Sequence, residues 1–429
     1  MGVDWGKSKV MGGYFTALID NGDKEWHWSL IPFMLIWAIF VALLALWLFT
    51  IFVVPYPRKP FPSEKKYRTL DRDGQLTEAN DLPCWMDAAK RKWLEAREKN
   101  QEFNVNKYVE RAEVFMTLVI PAYNEEKRLI GMLEESVNLL ERHYSNVPVP
   151  ASLQKQQANG STTRKRKPQL PNIYEPVPDT IYGDFTPKGW EILLVDDGSS
   201  DNTVKIAEHF TRTHLLPAHP RPASGPWTPN PRTAVNIPPD SIRLISLESN
   251  RGKGGAVTHG MRHARGAYIL FADADGASDI TDLPKLVTAA DEAADSESRA
   301  VAVGSRAHMV NSAAVVQRSK LRNFLMHGFH LILWVMTPPA TARIKDTQCG
   351  FKLFTRATLP YIVPHMHMEG WIFDVEMLML AEFNRIPVVE VPIGWKEVAG
   401  SKLDVVKDSI GMAWNLFLLR FCYGLGLYS

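Results

Sequence analysis

The sequence predicts an α/β domain with a mainly parallel sheet, preceded by one N-terminal transmembrane helix. Two observations lead to this prediction: short apolar runs alternate with helical patterns, and one longer apolar stretch carries no charge. Alternation of strands and helices is typical of right-handed β-α-β units. The candidate strands are 114–120, 191–195, 242–247, 267–272, 300–303 and 387–391, and the helical patterns between several of them are 127–142, 203–213 and 256–264.

The transmembrane prediction rests on residues 29–54, which contain no Asp, Glu, Lys or Arg. At roughly 20 residues per crossing, this stretch is long enough to span a bilayer. Aromatic residues suited to a membrane interface lie near its ends, at Trp26, Trp28, Trp47 and Tyr56. The apolar core is longer than that of a cleaved signal peptide, so we expect an uncleaved anchor.

The distribution of basic residues predicts the orientation of the anchor. Upstream there is Lys24, with Lys7 and Lys9 farther away. The basic residues that follow the anchor closely are Arg58, Lys59, Lys65, Lys66 and Arg68. By the positive-inside rule, the large C-terminal part lies in the cytosol. Asn159 begins a glycosylation sequon, and a sugar attached there would contradict this orientation.

Composition excludes several classes of protein. The formal net charge of +2 gives no general reason to expect nucleic-acid binding. Three scattered cysteines exclude a disulfide framework and a zinc site of clustered ligands. The predicted organisation is a luminal segment 1–28, an anchor 29–54, a juxtamembrane connector 55–111, a main domain 112–400 with insertions at about 147–188 and 217–239, and a C-terminal interfacial helix 401–429.

The segment Asp273-Ala274-Asp275-Gly276 places two carboxylates one residue apart, directly after the strand-like run 267–272. In an open α/β sheet, ligands collect beyond the carboxyl ends of the strands. Carboxylate oxygens suit a hard divalent cation shared with substrate phosphates. A local turn is the alternative reading. An EF-hand loop is excluded because Phe271 would occupy its first ligand position.

Polar clusters follow four of the predicted strands, which indicates a nucleotide pocket rather than four unrelated turns. The glycine-rich cluster, at residues 250–255, is neither a Walker A loop nor a G-x-G-x-x-G fingerprint. The clusters are Pro121-Ala122-Tyr123-Asn124-Glu125, Asp196-Asp197-Gly198-Ser199, Asn250-Arg251-Gly252-Lys253-Gly254-Gly255 and Asp273-Ala274-Asp275-Gly276.

With these motifs in this order, the chain from residue 114 to about 410 resembles inverting glycosyltransferases of family 2, which have the A-type, Rossmann-like nucleotide-sugar fold. Three further motifs resemble the branch that glycosylates dolichyl phosphate: Gly304-Ser305-Arg306, Asp346-Thr347-Gln348-Cys349-Gly350-Phe351-Lys352 and Trp371-Ile372-Phe373-Asp374-Val375-Glu376. The resemblance implies an enzyme of the endoplasmic reticulum membrane that transfers glucose from UDP-glucose to dolichyl phosphate with inversion. Its product would be a glucose donor for N-glycan precursor assembly.

The resemblance also implies roles for individual residues. Asp197 would contact the uracil with Lys253 near it, and Asp273 and Asp275 would hold Mg²⁺ or Mn²⁺ on the diphosphate. Related mannosyl enzymes have a Gln where this chain has Ala277, so Ser278, Asp279 or water would supply a third ligand. The nucleotide-sugar residues implied in full are Pro121, Tyr123, Asn124, Glu125, Asp197, Lys253 and Asp273.

The acceptor chemistry follows from the charge of a phosphate monoester. Its second pKa is near 6, so at pH 7 it is already a nucleophile and needs cations rather than a base. Asp374, at the position of a base in sugar-acceptor relatives, would then position the sugar or a cation. The candidate phosphate-binding residues are Arg306, Arg318, Lys320 and Arg322, with Lys345 and Lys352 as weaker candidates.

Two alternatives remain open from the sequence. GDP-mannose could replace UDP-glucose, because these motifs do not separate uridine from guanosine. A membrane-anchored pseudoenzyme or scaffold is the alternative from another class, and the intact carboxylates argue against it.

Besides the lipid acceptor, the bilayer is an expected partner. Residues 324–336 and 402–427 have the composition of interfacial helices, with core packing as the rival explanation.

Overall fold

The computed structural model describes residues 31–71, 75–99, 110–145, 189–215, 237–309, 328, 332–398, 400 and 405–428. The chain divides into two compact units, Met1–Val54 and Pro55–Ser429. The predicted luminal segment, the insertion at 147–188 and most of that at 217–239 lie outside the described residues.

The first unit contains helix α1, Ile31–Phe52. Residues Ile31–Thr50 are long and apolar enough to cross a membrane, judged by length and composition, and their side chains are not buried within the protein. Large apolar side chains such as Phe33 and Trp37 are instead exposed. This agrees with the predicted anchor, because an apolar helix without a protein core around it needs an apolar solvent.

The second unit begins with the connector, which contains two short antiparallel strands and one helix. These are β1 (Lys66–Tyr67), β2 (Asn80–Asp81) and α2 (Trp85–Glu98). Cys84 caps α2 by accepting a hydrogen bond from the backbone N–H of Asp87.

A seven-stranded sheet forms the centre of the second unit. Its spatial order is β5-β4-β3-β6-β8-β7-β9. Strand β8 runs antiparallel to its two neighbours, β6 and β7, and the other neighbouring strands are parallel. The strands are β3 (Val114–Ala122), β4 (Trp190–Asp196), β5 (Ile242–Ser246), β6 (Gly266–Ala272), β7 (Val301–Ser305), β8 (Phe351–Thr355) and β9 (Val388–Pro392).

All six predicted strands are present within two residues of their predicted ends, and β8 is the strand of this sheet that the sequence analysis missed. Lys352 is the second residue of this five-residue strand, and a lysine is rarely fully buried. Further helices with both ends in the described residues are α3 (Leu129–Tyr144), α4 (Thr203–Leu215), α5 (Lys253–Arg262), α6 (Leu283–Ala293), α7 (Pro339–Arg343), α8 (Leu359–Ile362), α9 (Phe373–Phe383) and α10 (Val405–Gly424).

The hydrophobic core lies between the sheet and its flanking helices. Strands β4 and β6 are buried along their whole length, as expected for strands covered on both faces. Helix α3 contributes Leu129, Leu133 and Leu140 to this core at helical spacing. This packing fixes the ends of β3, β4, β5 and β6 along one edge of the sheet, where the polar clusters lie.

Candidate active site

The loops after β3 and β4 are held together by the side chain of Asn124. Its amide oxygen accepts hydrogen bonds from the backbone N–H of Ser200 (2.8 Å) and Asp201 (3.3 Å), and the backbone N–H of Asn124 donates to Ser199 Oγ (2.8 Å). Asn124 has a φ of 53°, a conformation that Asn tolerates better than most residues. Pro121 lies in β3 opposite Val195 of β4, so the first two predicted clusters do meet.

Glu125 and Tyr123 occupy the same loop but differ in their surroundings. The Glu125 backbone N–H donates to Thr203 Oγ1 (2.7 Å), and its carboxylate accepts two hydrogen bonds from Arg128 (2.7 and 2.6 Å). Arg128 also lies 3.6 Å from an oxygen of Asp275. Tyr123 is 40% exposed. Arg128 thus connects the loop after β3 with Asp275 of the carboxylate pair, a contact that the sequence analysis missed.

Asp197 holds the middle of the glycine-rich loop, here called the donor loop (residues 248–255). One of its carboxylate oxygens accepts from the Arg251 N–H (2.7 Å) and the other from the Gly252 N–H (2.9 Å). Gly252 has a φ of 84°, and a Cβ there would lie 2.6 Å from the Glu369 carbonyl oxygen, so glycine is required. Burial raises the pKa of Asp197 to about 7, against the opposing effect of these two backbone donors.

Lys253 and Asp273 form the charged centre of the strand-end clusters. The Lys253 Nζ lies 2.6 Å from Asp273 Oδ1. Burial lowers the pKa of Lys253, but the carboxylates of Asp273 and Asp374 outweigh it, and the net pKa is raised. The pKa of Asp275 is also raised, first by burial and then by the negative charge of Asp273. A second positive charge beside the two carboxylates would relieve this repulsion.

Gly350 provides the space that the Asp273 carboxylate occupies. The Gly350 carbonyl accepts a hydrogen bond from the Asp273 N–H (3.2 Å), and a Cβ at position 350 would overlap the Asp273 carboxylate. The motif that contains Gly350 was singled out from the sequence, but its contact with Asp273 was not predicted. The contact arises because β8 lies beside β6 in the sheet.

Asp273 and Asp275 can supply only some of the ligands that a divalent cation needs. Two adjacent carboxylates are hard oxygen donors of the kind that Mg²⁺ and Mn²⁺ take, with phosphate and water completing the coordination. Within the described residues, no group of three or more His, Cys, Asp and Glu side chains is arranged to hold a metal. The Asp279 carboxylate instead accepts from the Thr281 N–H (3.0 Å) and hydroxyl (2.6 Å).

Asp374 is not free to accept a proton from a substrate. It is almost completely buried and forms an ion pair with Lys352, whose Nζ also donates to the Cys349 carbonyl (2.6 Å). The weaker assignment of Lys352 to the acceptor phosphate is therefore wrong, because its side chain is 0% exposed. Coulomb attraction to Asp374 keeps it in the interior.

Arg306 is committed to a carboxylate on a neighbouring loop. Its Nε and Nη2 donate to the two oxygens of Asp346 (2.7 and 2.8 Å), and its backbone N–H donates to the same group (2.9 Å). A third of the Arg306 side chain remains exposed. The other predicted phosphate-binding residues, Arg318, Lys320 and Arg322, lie outside the described residues.

Comparison with known proteins identifies relatives of this chain. A family model described as glycosyl transferase family 2 matches residues 229–335. The dolichyl-phosphate β-glucosyltransferase of Saccharomyces cerevisiae is 35% identical over 91% of this chain and 94% of its own length. The human dolichyl-phosphate β-glucosyltransferase is 34% identical over 73% of this chain and 77% of its own length.

One solved structure among those similar to the chain is glucosyl-3-phosphoglycerate synthase of Mycobacterium tuberculosis, in complex with Mn²⁺, UDP-glucose and phosphoglyceric acid. It is 14% identical, covers 72% of this chain and 79% of its own, and has a TM-score of 0.41.

The α/β fold, the strand-end carboxylates and the family match define a glycosyltransferase of family 2. The chain belongs to the dolichyl-phosphate β-glucosyltransferase family. It is an enzyme that transfers glucose to dolichyl phosphate.

Proposed function

We propose that the enzyme takes glucose from UDP-glucose and transfers it to dolichyl phosphate in a single displacement with inversion, using a divalent cation and no general base. The observation that carries the proposal is the meeting of Asp197, Lys253 and Asp273 at one edge of the sheet, through the donor loop and the first residue of α5. Ligands of open α/β sheets bind at this edge.

The uracil has one N–H donor on its pairing edge, and Asp197 is its proposed acceptor. Each Asp197 oxygen already accepts one backbone N–H, and a carboxylate oxygen has capacity for a second hydrogen bond. Asn124 and Glu125 hold the neighbouring loop in place, because their backbone N–H groups donate to Ser199 in the loop after β4 and to Thr203 at the start of α4. Tyr123, at 40% exposed, offers an aromatic face beside them.

Asp273 and Asp275 are the residues that would hold Mg²⁺ or Mn²⁺. The cation would neutralise the diphosphate and stabilise it as a leaving group. Lys253 orients Asp273 and adds positive charge next to it. Arg128 contributes positive charge on the Asp275 side of the pair. These protein groups therefore favour the build-up of negative charge on the departing diphosphate.

The acceptor needs no base because it brings its own negative charge. A phosphate monoester is mostly dianionic at pH 7. Asp374, the one base suggested by the resemblance, is neutralised by Lys352 in the interior. We assign Asp374 to positioning and the partly exposed Arg306 to the acceptor phosphate, with Arg318, Lys320 and Arg322 as further candidates.

The proposed location is the cytosolic face of the endoplasmic reticulum membrane, with α1 as a single-pass anchor. Support comes from the apolar length of α1 and from the basic residues that follow it. Glycosylation at Asn159 in cells would contradict this orientation.

Helix α10 is a second proposed membrane contact. One face buries Leu416, Leu419 and other apolar side chains, while Ile410, Trp414 and Phe417 are 66%, 49% and 41% exposed. These exposed residues recur at helical spacing, as on an interfacial helix. The hydroxyl of Tyr428, just past α10, donates to the carbonyl of Pro55 (2.5 Å), where the chain leaves the anchor. We therefore propose that the face of α10 that carries Ile410, Trp414 and Phe417 contacts lipid.

The donor is tested with purified full-length enzyme, dolichyl phosphate, and labelled UDP-glucose or GDP-mannose, each with and without EDTA. We expect glucosyl transfer from UDP-glucose that EDTA abolishes, and a product with the β configuration. Equal or faster transfer from GDP-mannose would contradict the proposed donor. Full activity in EDTA would contradict the use of a cation, and an α product would contradict the single displacement.

A further inference from the structure

The connector reaches the donor loop through a buried carboxylate, Glu64. Its side chain is fully buried and accepts two hydrogen bonds from Arg58 (2.8 and 2.5 Å) and one from the Phe61 N–H (2.9 Å). A fourth hydrogen bond comes from the N–H of Glu248, at the start of the donor loop (3.0 Å). A buried carboxylate is stable only when its donors stay in place, so Glu64 fixes these segments to one another.

Arg251 continues this connection toward the nucleotide pocket. Its Nη2 donates to the carbonyl of Arg58 (3.0 Å), and its Nε donates to the carboxylate of Glu369 (2.9 Å). The backbone N–H of the same residue donates to Asp197. Arg251 therefore touches the connector, the loop that precedes α9 and the proposed uracil-binding carboxylate.

Helix α5 is held to the connector by a second row of contacts. The ring Nε2 of His259 donates to the carbonyl of Glu64 (2.8 Å), and the indole N–H of Trp85 donates to the carbonyl of Met261 (2.8 Å). His263 contacts the carbonyl of Pro83 (2.8 Å). Because Lys253 is the first residue of α5, these contacts also fix the place of its ammonium group.

The donor loop needs such external support because of its composition. Three of its last four residues are glycines, at positions 252, 254 and 255, and glycine has more backbone freedom than any other residue. The loop 366–371 supports it on one side, where the Gly255 N–H donates to the Glu369 carbonyl (3.1 Å). The connector supports it on the other side through Glu64 and Arg58.

We propose that Glu64 and Arg251 are positioning residues for the sugar-nucleotide donor, and that the connector which leaves the membrane anchor is a structural part of the donor pocket. Neither residue would touch the donor through its side chain. They act by holding the backbone of residues 251–252 against Asp197 and the start of α5 beside Asp273. This inference rests on the proposed donor site at Asp197 and Lys253.

The test uses Glu64→Gln and Arg251→Lys in the full-length enzyme, with Asp87→Asn as the matched control. Glutamine keeps the shape of Glu64 but removes its charge, and lysine cannot pair with Glu369 and the Arg58 carbonyl together. Asp87 forms the connector's ion pair with Lys65 (2.7 Å), which does not involve the donor loop. The measurements are kcat, the KM of each substrate and the Kd of UDP-glucose.

We expect both variants to raise the KM and Kd of UDP-glucose about tenfold, the size expected when a hydrogen bond to a charged group is lost. The KM of dolichyl phosphate should stay within about twofold of wild type, and the control should match wild type for both substrates. An unchanged donor KM, or equal changes for donor and acceptor, would overturn the proposal.

Two further measurements separate these outcomes from misfolding of a variant and from a donor other than UDP-glucose. If Glu64→Gln does not fold, Glu369→Gln replaces it, because Glu369 is partly exposed and also pairs with Arg251; the same donor-selective change is expected, and its absence overturns the proposal. If the wild-type enzyme binds GDP-mannose rather than UDP-glucose, the proposed donor fails. The variants are then measured with GDP-mannose, where a donor-selective effect would still support the positioning role.

Discussion

Lys352 and Asp374 form an ion pair in the interior of the second unit, with side chains 0% and 4% exposed. Lys352 lies in β8, opposite Phe271 of β6, the strand that leads into Asp273. The pair neutralises Asp374, the carboxylate at the position where the family resemblance places the base of sugar-acceptor enzymes. A buried, neutralised carboxylate is compatible with glucosyl transfer when the acceptor is already ionised and needs no general base.

Removing one partner of this pair should destabilise the protein strongly. We expect Lys352→Met to lower the free energy of unfolding by about 3–5 kcal/mol, because Asp374 would be left as a buried uncompensated charge. The double variant Lys352→Met/Asp374→Leu should recover most of the loss. Chemical unfolding of the purified protein in detergent measures both, with the exposed Lys345→Met as control. A single variant as stable as wild type would contradict the pairing.

The Gly350 contact predicts a selective loss of activity. Gly350→Ala places a methyl group where the Asp273 carboxylate lies, and a displacement of about 1 Å at a reacting centre can reduce turnover about 100-fold. Turnover and the thermal unfolding midpoint are measured together. The control is Gly411→Ala, where a Cβ would meet nothing within 4 Å. Wild-type turnover in Gly350→Ala would show that Asp273 is not positioned as described.

The strand-end clusters could be predicted from the sequence because parallel strands carry their ends to one edge. Asp197, Lys253, Asp273 and Asp275 follow apolar runs that are easily recognised as strands, and the structure brings these residues to the same edge. Their individual roles in substrate and metal binding stay predictions. The missed strand β8 contains a lysine, and composition alone gives no sign that this lysine is buried with a partner 22 residues away.

The role of the connector could not be predicted for a different reason. Glu64 and the Glu248 N–H are 184 residues apart in sequence, and no local pattern links them. A charged residue before a short strand resembles any solvated surface residue. Arg128 left a weak signal, since Glu125 and Arg128 have the spacing of a helical ion pair, but its approach to Asp275 depends on tertiary packing.

The pKa of Asp197 predicts how donor binding depends on pH. Burial raises this pKa to about 7, so as the pH falls through 7 the carboxylate gains a proton and becomes a poorer acceptor for the uracil N–H. We expect the Kd of UDP-glucose to rise as the pH is lowered from 8 to 6. UDP-glucose is the suitable probe because its diphosphate has no monoester proton titrating near pH 6.

The matched variant for this pH dependence is Asp197→Asn, which keeps an acceptor oxygen but does not titrate. Its binding should be weaker at pH 8 and nearly constant between pH 6 and 8. A wild-type Kd that does not change over this range would contradict the role of the ionised Asp197.

Glu64 predicts an acid-dependent contribution to stability. Burial raises its pKa, but the hydrogen bonds from Arg58, Phe61 and Glu248 outweigh burial and lower the pKa to about 2. A lowered pKa stabilises the folded protein above the unfolded value near 4.5, and this contribution is lost as the pH falls toward 2. At about 1.4 kcal/mol per pKa unit, it amounts to about 3 kcal/mol at neutral pH.

Unfolding of wild type and Glu64→Gln at a series of pH values measures this contribution. The difference in unfolding free energy should be largest above pH 5 and shrink steadily below pH 4. A difference that does not change with pH would mean that Glu64 acts through its shape rather than its charge.

The central claim is that Asp273 and Asp275 hold a divalent cation on the donor's diphosphate. Calorimetric titration of UDP into the purified enzyme, with Mn²⁺ or with EDTA, tests it most directly and does not depend on turnover. We expect Mn²⁺ to tighten UDP binding to wild type at least about tenfold, and Asp275→Asn to lose most of this gain while keeping its metal-free affinity. An equal gain from Mn²⁺ in wild type and Asp275→Asn would contradict the claim.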